Sequence, residues 1–167
     1  MQFKETLKKI ESFPPFKKFK QDFPEAELCA GFFVIDFLGN DNKQSLDYNI
    51  GETVFSFDIN DKGQIFMKED KLLDIPNKPK LTKINPEAKI EIDELKGLVG
   101  IQALENGISA KMHKLIAVLQ NHDDKQVWNL TCMLEGLIII HVLIDSETGD
   151  IIKFERRSMM DLIRKKE

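Results

Sequence analysis

Cysteine is nearly absent. Cys29 and Cys132 are the only two in 167 residues, and no CxxC spacing occurs, which excludes a disulfide framework, a zinc ribbon and a thiol-redox motif. A reducing, cytoplasmic setting is the simpler expectation. Long apolar runs are also missing: Leu137 to Ile144 spans eight residues and is broken by His141, far short of a bilayer crossing. The first twenty residues hold no uninterrupted apolar core, so no secretory signal is expected. Nor does one sign of charge dominate. The 24 Lys and Arg face 28 Asp and Glu for a net charge of -4, too little field to hold a polyanion, so nucleic acid is not an expected partner. Catalytic signatures are absent as well. No serine stands in GxSxG, no phosphate-cradling loop occurs, and Gly97, Gly100 and Gly107 follow no strand. No catalytic residue and no cofactor are therefore expected.

What the chain does contain is alternation between two periodicities. Phe3, Leu7 and Ile10 share a helical stripe that stops at Ser12-Phe13-Pro14-Pro15, and Phe16, Phe19, Lys20 and Phe23 resume it. Two short amphipathic helices follow, the second opened by proline, whose missing N–H costs nothing in a first turn. Dense β formers from Leu28 to Phe37 then end at Gly39-Asn40-Asp41-Asn42. Strands over 45–50, 53–59 and 64–67 complete a meander, with turn residues at Gly51 and at Asn60-Asp61-Lys62-Gly63.

Residues 69–90 carry three prolines and five lysines and read as a connector. Helical spacing returns from Asp93 to Gln120, with Asp93 as N-cap and a kink at Asn106-Gly107. Strands over 126–134, 137–145 and 150–156 follow, then a short basic helix over 158–167. Helix-then-meander occurs twice, which raises an internal duplication.

Trp128-Asn129-Leu130-Thr131, Gly136, a strand closing on Asp145 and then Thr148-Gly149-Asp150-Ile151-Ile152 together resemble the PepSY pattern over about residues 93–156. The resemblance implies a helix laid on an antiparallel sheet, and a binding or inhibitory module without a catalytic set to carry over. Many such domains are exported or membrane-tethered, a habit from which this chain is expected to depart. The same Asp and Thr-Gly also have a plain structural meaning, since they supply acceptors for turn amides and set strand register.

Several residues merit attention beyond the fold. Asp58, Asn60 and Glu69 fall at positions one, three and twelve of a calcium-loop spacing, but Lys62 occupies position five and a β-hairpin explains the same residues without metal. His113, His122 and His141 are too scattered to define a site, and His141 reads as a half-buried sheet residue. Lys4, Lys8, Lys9, Lys17, Lys18 and Lys20 give the first helices a basic side, which suits a membrane surface or an acidic partner, or simply water.

The expectation is thus an α+β protein of two helix-plus-antiparallel-sheet units of PepSY or cystatin-like type, residues 1–83 and 84–167, packed as one body. It is expected to be a non-catalytic binding or regulatory module with a protein or peptide partner, its contacts drawn from Trp128, Phe33, Phe37, Lys8 and Lys17. One rival is an enzyme or small-ligand binder with a pocket between helix and sheet, using carboxylates such as Asp36, Asp47 or Asp58. The other is a membrane-surface protein working through the basic helices.

Overall fold

Helix α1 (Phe3–Glu11) and helix α2 (Pro14–Asp22) each bury one apolar edge: Phe3 and Ile10 from the first, Phe16 and Phe19 from the second. Their lysines point the other way, as amphipathic spacing requires. The structure is a computed structural model that describes residues 1–71 and 81–158.

After these helices come strands β1 (Glu27–Asp36), β2 (Lys43–Ile50), β3 (Thr53–Ile59) and β4 (Ile65–Lys71), then helix α3 (Ile92–Glu105) and strands β5 (Met112–His122), β6 (Lys125–Leu134), β7 (Ile138–Asp145) and β8 (Ile151–Ser158). All eight strands join one sheet in the order β4-β3-β2-β1-β5-β6-β7-β8, every pair antiparallel. The two meanders therefore meet edge to edge through β1 and β5. Phe32 stands opposite Val118 and Phe33 opposite Ala117 at this seam.

Strand parity places all three helices on one face. A single row crosses the sheet from Phe57 through Leu46, Gly31, Leu119 and Trp128 to Ile144, and its five side-chain-bearing members beyond glycine are fully buried. Phe3 meets Phe33 and Trp128 edge-on at 6.3 and 6.4 Å, while Phe16 and Phe19 pack on Phe57 and Phe55 at 5.2 and 5.0 Å. Aromatic pairs favour such edge-on and tilted geometry. Among the described residues no helix lies on the opposite face.

Several expectations need correction. The helix foreseen over Asp93–Gln120 ends at Glu105, and Met112–His122 is a strand. Gly107 at φ 75° breaks the helix, and the four-residue spacing of Leu115 and Leu119 fits either period, which made the strand read as helix. The second meander accordingly has four strands. The cap of α3 is Glu91, with Glu94 in a reciprocal capping box, in place of Asp93. The foreseen connector also contributes to the core, for Ile84 and Ala88 are buried and the Ile84 N–H donates to the Leu28 carbonyl at 2.9 Å. The basic helix over 158–167 lies, beyond Ser158, outside the described residues.

Candidate functional site

The aromatic candidates divide. Trp128 and Phe33 are 0% exposed, and the Trp128 indole N–H donates to the Ile90 carbonyl at 2.8 Å. Both belong to the core and present nothing to a partner. Phe37 is half-buried, its ring 4.2 Å beneath the Lys96 ammonium, a cation–π distance. Lys8 and Lys17 are exposed on the outer sides of α1 and α2, whose phenylalanines are spent on the sheet.

The metal candidates do not converge. Asp58 pairs across the strands with Phe66, whereas Glu69 pairs with Phe55, so their side chains project from opposite faces of the sheet. Asp58 accepts from the Ser45 hydroxyl at 2.6 Å and lies 3.5 Å from the Lys68 ammonium. The Asn60 side-chain oxygen is taken by the N–H groups of Lys62 and Gln64 at 3.0 and 2.9 Å. This is a hairpin fastener. Among the described residues no group of three or more His, Cys, Asp or Glu is placed to hold a metal ion.

Of the carboxylates named as possible acids or bases, Asp47 and Asp58 share the uncovered face as diagonal neighbours on β2 and β3, while Asp36 stands apart at the end of β1. Asp36 closes β1 and accepts from the N–H groups of Leu38, Gly39 and Asp41 at 3.0–3.3 Å; the Leu38 bond first of all holds its pKa below the ordinary carboxylate value. Asp47 accepts from the Ser56 hydroxyl at 2.6 Å on the uncovered face. Asp145 closes β7 in the same way as Asp36, accepting from Glu147 and Thr148 at 2.8 and 3.2 Å, with Lys125 at 3.5 Å. Its pKa is also lowered, chiefly by the Glu147 bond. Thr148 in turn accepts from the Asp150 N–H, and Gly149 takes φ 81°, so Asp145, Thr148 and Gly149 form a strand-end turn.

The histidines and cysteines are used structurally. His141 sits 2.7 Å from the Asn129 side-chain oxygen, and burial followed by the Lys153 charge pushes its pKa down. His113 and His122 lie beside Glu135 and Asp123 at 3.7 and 3.3 Å. Burial raises both thiols to about 12, far from the thiolate form a nucleophile needs.

The rival expectation of a pocket between helix and sheet has a counterpart in a cleft under α3, but its lining, which includes none of Asp36, Asp47 and Asp58, is what the sequence reading missed. The cleft holds about 400 Å³ between the middle and end of that helix and the segment entering β5, with Leu134 and Ile140 as its apolar floor. Gly97 and Gly100 line it, and Ile101 and Leu104 stand 61% and 65% exposed. Helix α3 buries Ile92, Leu95, Val99 and Ala103 as one stripe. Outside this stripe Leu98 is partly buried against the core, whereas Ile101 and Leu104 stay exposed among the described residues. The readable signal was an apolar circumference too wide for one buried face.

Two other hollows differ in character. One of about 400 Å³ near Tyr48 mixes Glu11, Glu25 and Glu27 with Lys20 and Lys83 at its rim. Another, of about 480 Å³, is lined by Asn40, Asn42, Gln44 and Asn60, of which the last three already hold backbone or side-chain partners.

No protein-family description matches the chain, and no curated protein matches it either. Among solved structures it is similar to a crystal structure from Clostridium difficile 630 titled as a "putative lipoprotein", with a TM-score of 0.60 and 12% identity, covering 86% of this chain and 90% of that one. At that identity the likeness is one of fold alone.

Proposed function

We propose that the protein is a non-catalytic binding module and that the cleft beneath α3 is its recognition surface. The observation that carries this reading is the pair Gly97 and Gly100. A glycine inside a helix costs about 1 kcal/mol against alanine, and such a residue is ordinarily excused by a close neighbour. Here a Cβ at either position meets nothing within 4 Å. Their service is to the cleft, which side chains would narrow. An exposed Ile101 and Leu104 beside an apolar hollow extend the same surface, and clefts of this volume and lining suit apolar ligands held by few polar groups.

Kinship with PepSY-like modules and an origin by duplication belong to this reading. In their support, each half runs helix then four-stranded meander, and the strand order is the same read outward from the seam in either direction. A cytoplasmic setting belongs to it too, supported by two cysteines that are buried and unpaired. The membrane-surface alternative draws less support, because the apolar sides of α1 and α2 are occupied by the sheet. Of the alternative that joined an enzyme with a small-ligand binder, the cleft takes up the small-ligand half, and the enzyme half draws less support, since Asp36 is engaged at a turn and Asp58 is paired with Ser45 and Lys68.

The test is binding of a neutral apolar dye, Nile red. The native chain should enhance its fluorescence, and Gly100→Leu, which projects into the cleft, should abolish the enhancement while keeping the native circular dichroism. Absence of dye binding by the native chain, or undiminished binding by a folded Gly100→Leu, sinks the proposal.

A further inference from the structure

We infer that the occupant of this cleft is a single-chain amphiphile with an anionic head, of which a long-chain carboxylate is the simplest member. The inference rests on the cleft being the recognition surface and goes on to name its ligand class.

Charge decides the head. Lys96 and Lys111 line the cleft and, among the described residues, no Asp or Glu does, although the chain as a whole carries a net charge of -4. Lys96 lies over Phe37, whose N–H donates to the His113 carbonyl at 2.9 Å, and His113 is two residues from Lys111. Of the carboxylates nearby, Glu135, whose N–H donates to the Lys111 carbonyl, faces His113 at 3.7 Å, Asp41 faces Lys114 at 3.5 Å, and Asp36 is taken up by turn amides. The close of α3 and the turn after it contribute Ala103, Leu104 and Ile108 to the lining. Helix carbonyls at that close carry the negative end of the macrodipole, so an anionic head is repelled from them and drawn to the lysines. The apolar tail then lies against Gly100, Leu104, Leu134 and Ile140.

Size decides the number of chains. A volume of about 400 Å³ is near the lower bound for small-molecule sites and suits one alkyl chain better than two.

The experiment compares dodecanoate, dodecanol and dodecylammonium as displacers of Nile red from the full chain. Dodecanoate should bind about tenfold more tightly than dodecylammonium, with dodecanol between, as two partly exposed ion pairs gained or opposed would give. The double variant Lys96→Gln/Lys111→Gln should bring the three together while keeping the native dodecanol affinity, which also reports that the variant is folded. Equal affinities on the native chain, a preference for the ammonium, or a preference for dodecanoate that survives in the double variant overturns the inference and leaves the recognition surface standing. The same holds if the dye binds and none of the three displaces it. Failure of the dye itself to bind removes both.

Discussion

The Glu91 carboxylate accepts the N–H of Phe3, 88 residues away in sequence, at 2.8 Å, so one side chain fastens the starts of two helices. The same carboxylate accepts from Lys4 at 3.2 Å and from Ile92 at 3.3 Å, and Gln2 reaches Asp93 at 2.8 Å alongside. Each helix start leaves N–H groups without helical partners, and a carboxylate there also suits the macrodipole. Removing it exposes both ends at once.

Glu91→Ala should therefore lower stability by about 1–2 kcal/mol, the range for losing a cap. In a domain of this size that is about 2–4 °C of Tm for each kcal/mol. Glu91→Gln, which keeps an acceptor oxygen, should lose less. Urea unfolding at neutral pH measures both, and a Glu91→Ala variant as stable as the parent would show that the two helices are held by packing alone.

Gly31 and Gly100 should respond oppositely to alanine. A Cβ on Gly31 would lie 2.9 Å from a ring carbon of Phe33, and within 3.5 Å of Leu46 and Phe3, all three fully buried. Overpacking of this kind costs about 1–3 kcal/mol, so Gly31→Ala should unfold at lower denaturant. Gly100→Ala, with open space before it, should gain about 0.5–1 kcal/mol. Equal effects at the two positions would contradict the packing described at the seam.

Acid should weaken the fold through Asp145. Its pKa in the folded protein lies below the ordinary value because turn amides and Lys125 favour the carboxylate. The unfolded chain thus takes up a proton first on acidification. The stabilisation is complete above the ordinary aspartate pKa of about 4 and is lost as pH falls through the lower folded value. The stability gap between the parent and Asp145→Asn should accordingly shrink between about pH 5 and pH 2. A gap constant across that window would mean the carboxylate's charge contributes nothing.

Much of this architecture is legible locally. Asn60-Asp61-Lys62-Gly63 announces its hairpin because the side chain of Asn60 and the positive φ of Gly63 make the turn by themselves. Pro14 opens α2 for an equally local reason. Strand β5 is not legible in this way. Leu115 and Leu119 satisfy a four-residue and a two-residue period alike, and only pairing with Phe33 and Cys132 on its flanks selects the extended form. Trp128 shows the other limit. Its strand could be read, but that its ring would be enclosed by Phe3 and Phe33 of the other half could not, because no nearby residue encodes a contact so distant. The cleft falls between these cases. The apolar girth of α3 is visible in Leu95, Leu98, Val99, Ile101 and Leu104, while which side lies open depends on where Leu134 and Ile140 arrive.

The meeting of Phe32 with Val118 across the seam bears on how the chain is made. As the polypeptide leaves the ribosome, β1 is finished early and stands as a raw border with unsatisfied amides until β5 has been synthesised some eighty residues later. Throughout that interval the N-terminal half is open to pairing with any extended neighbour. A nascent chain stalled within 81–110 should for this reason be the form most dependent on chaperones.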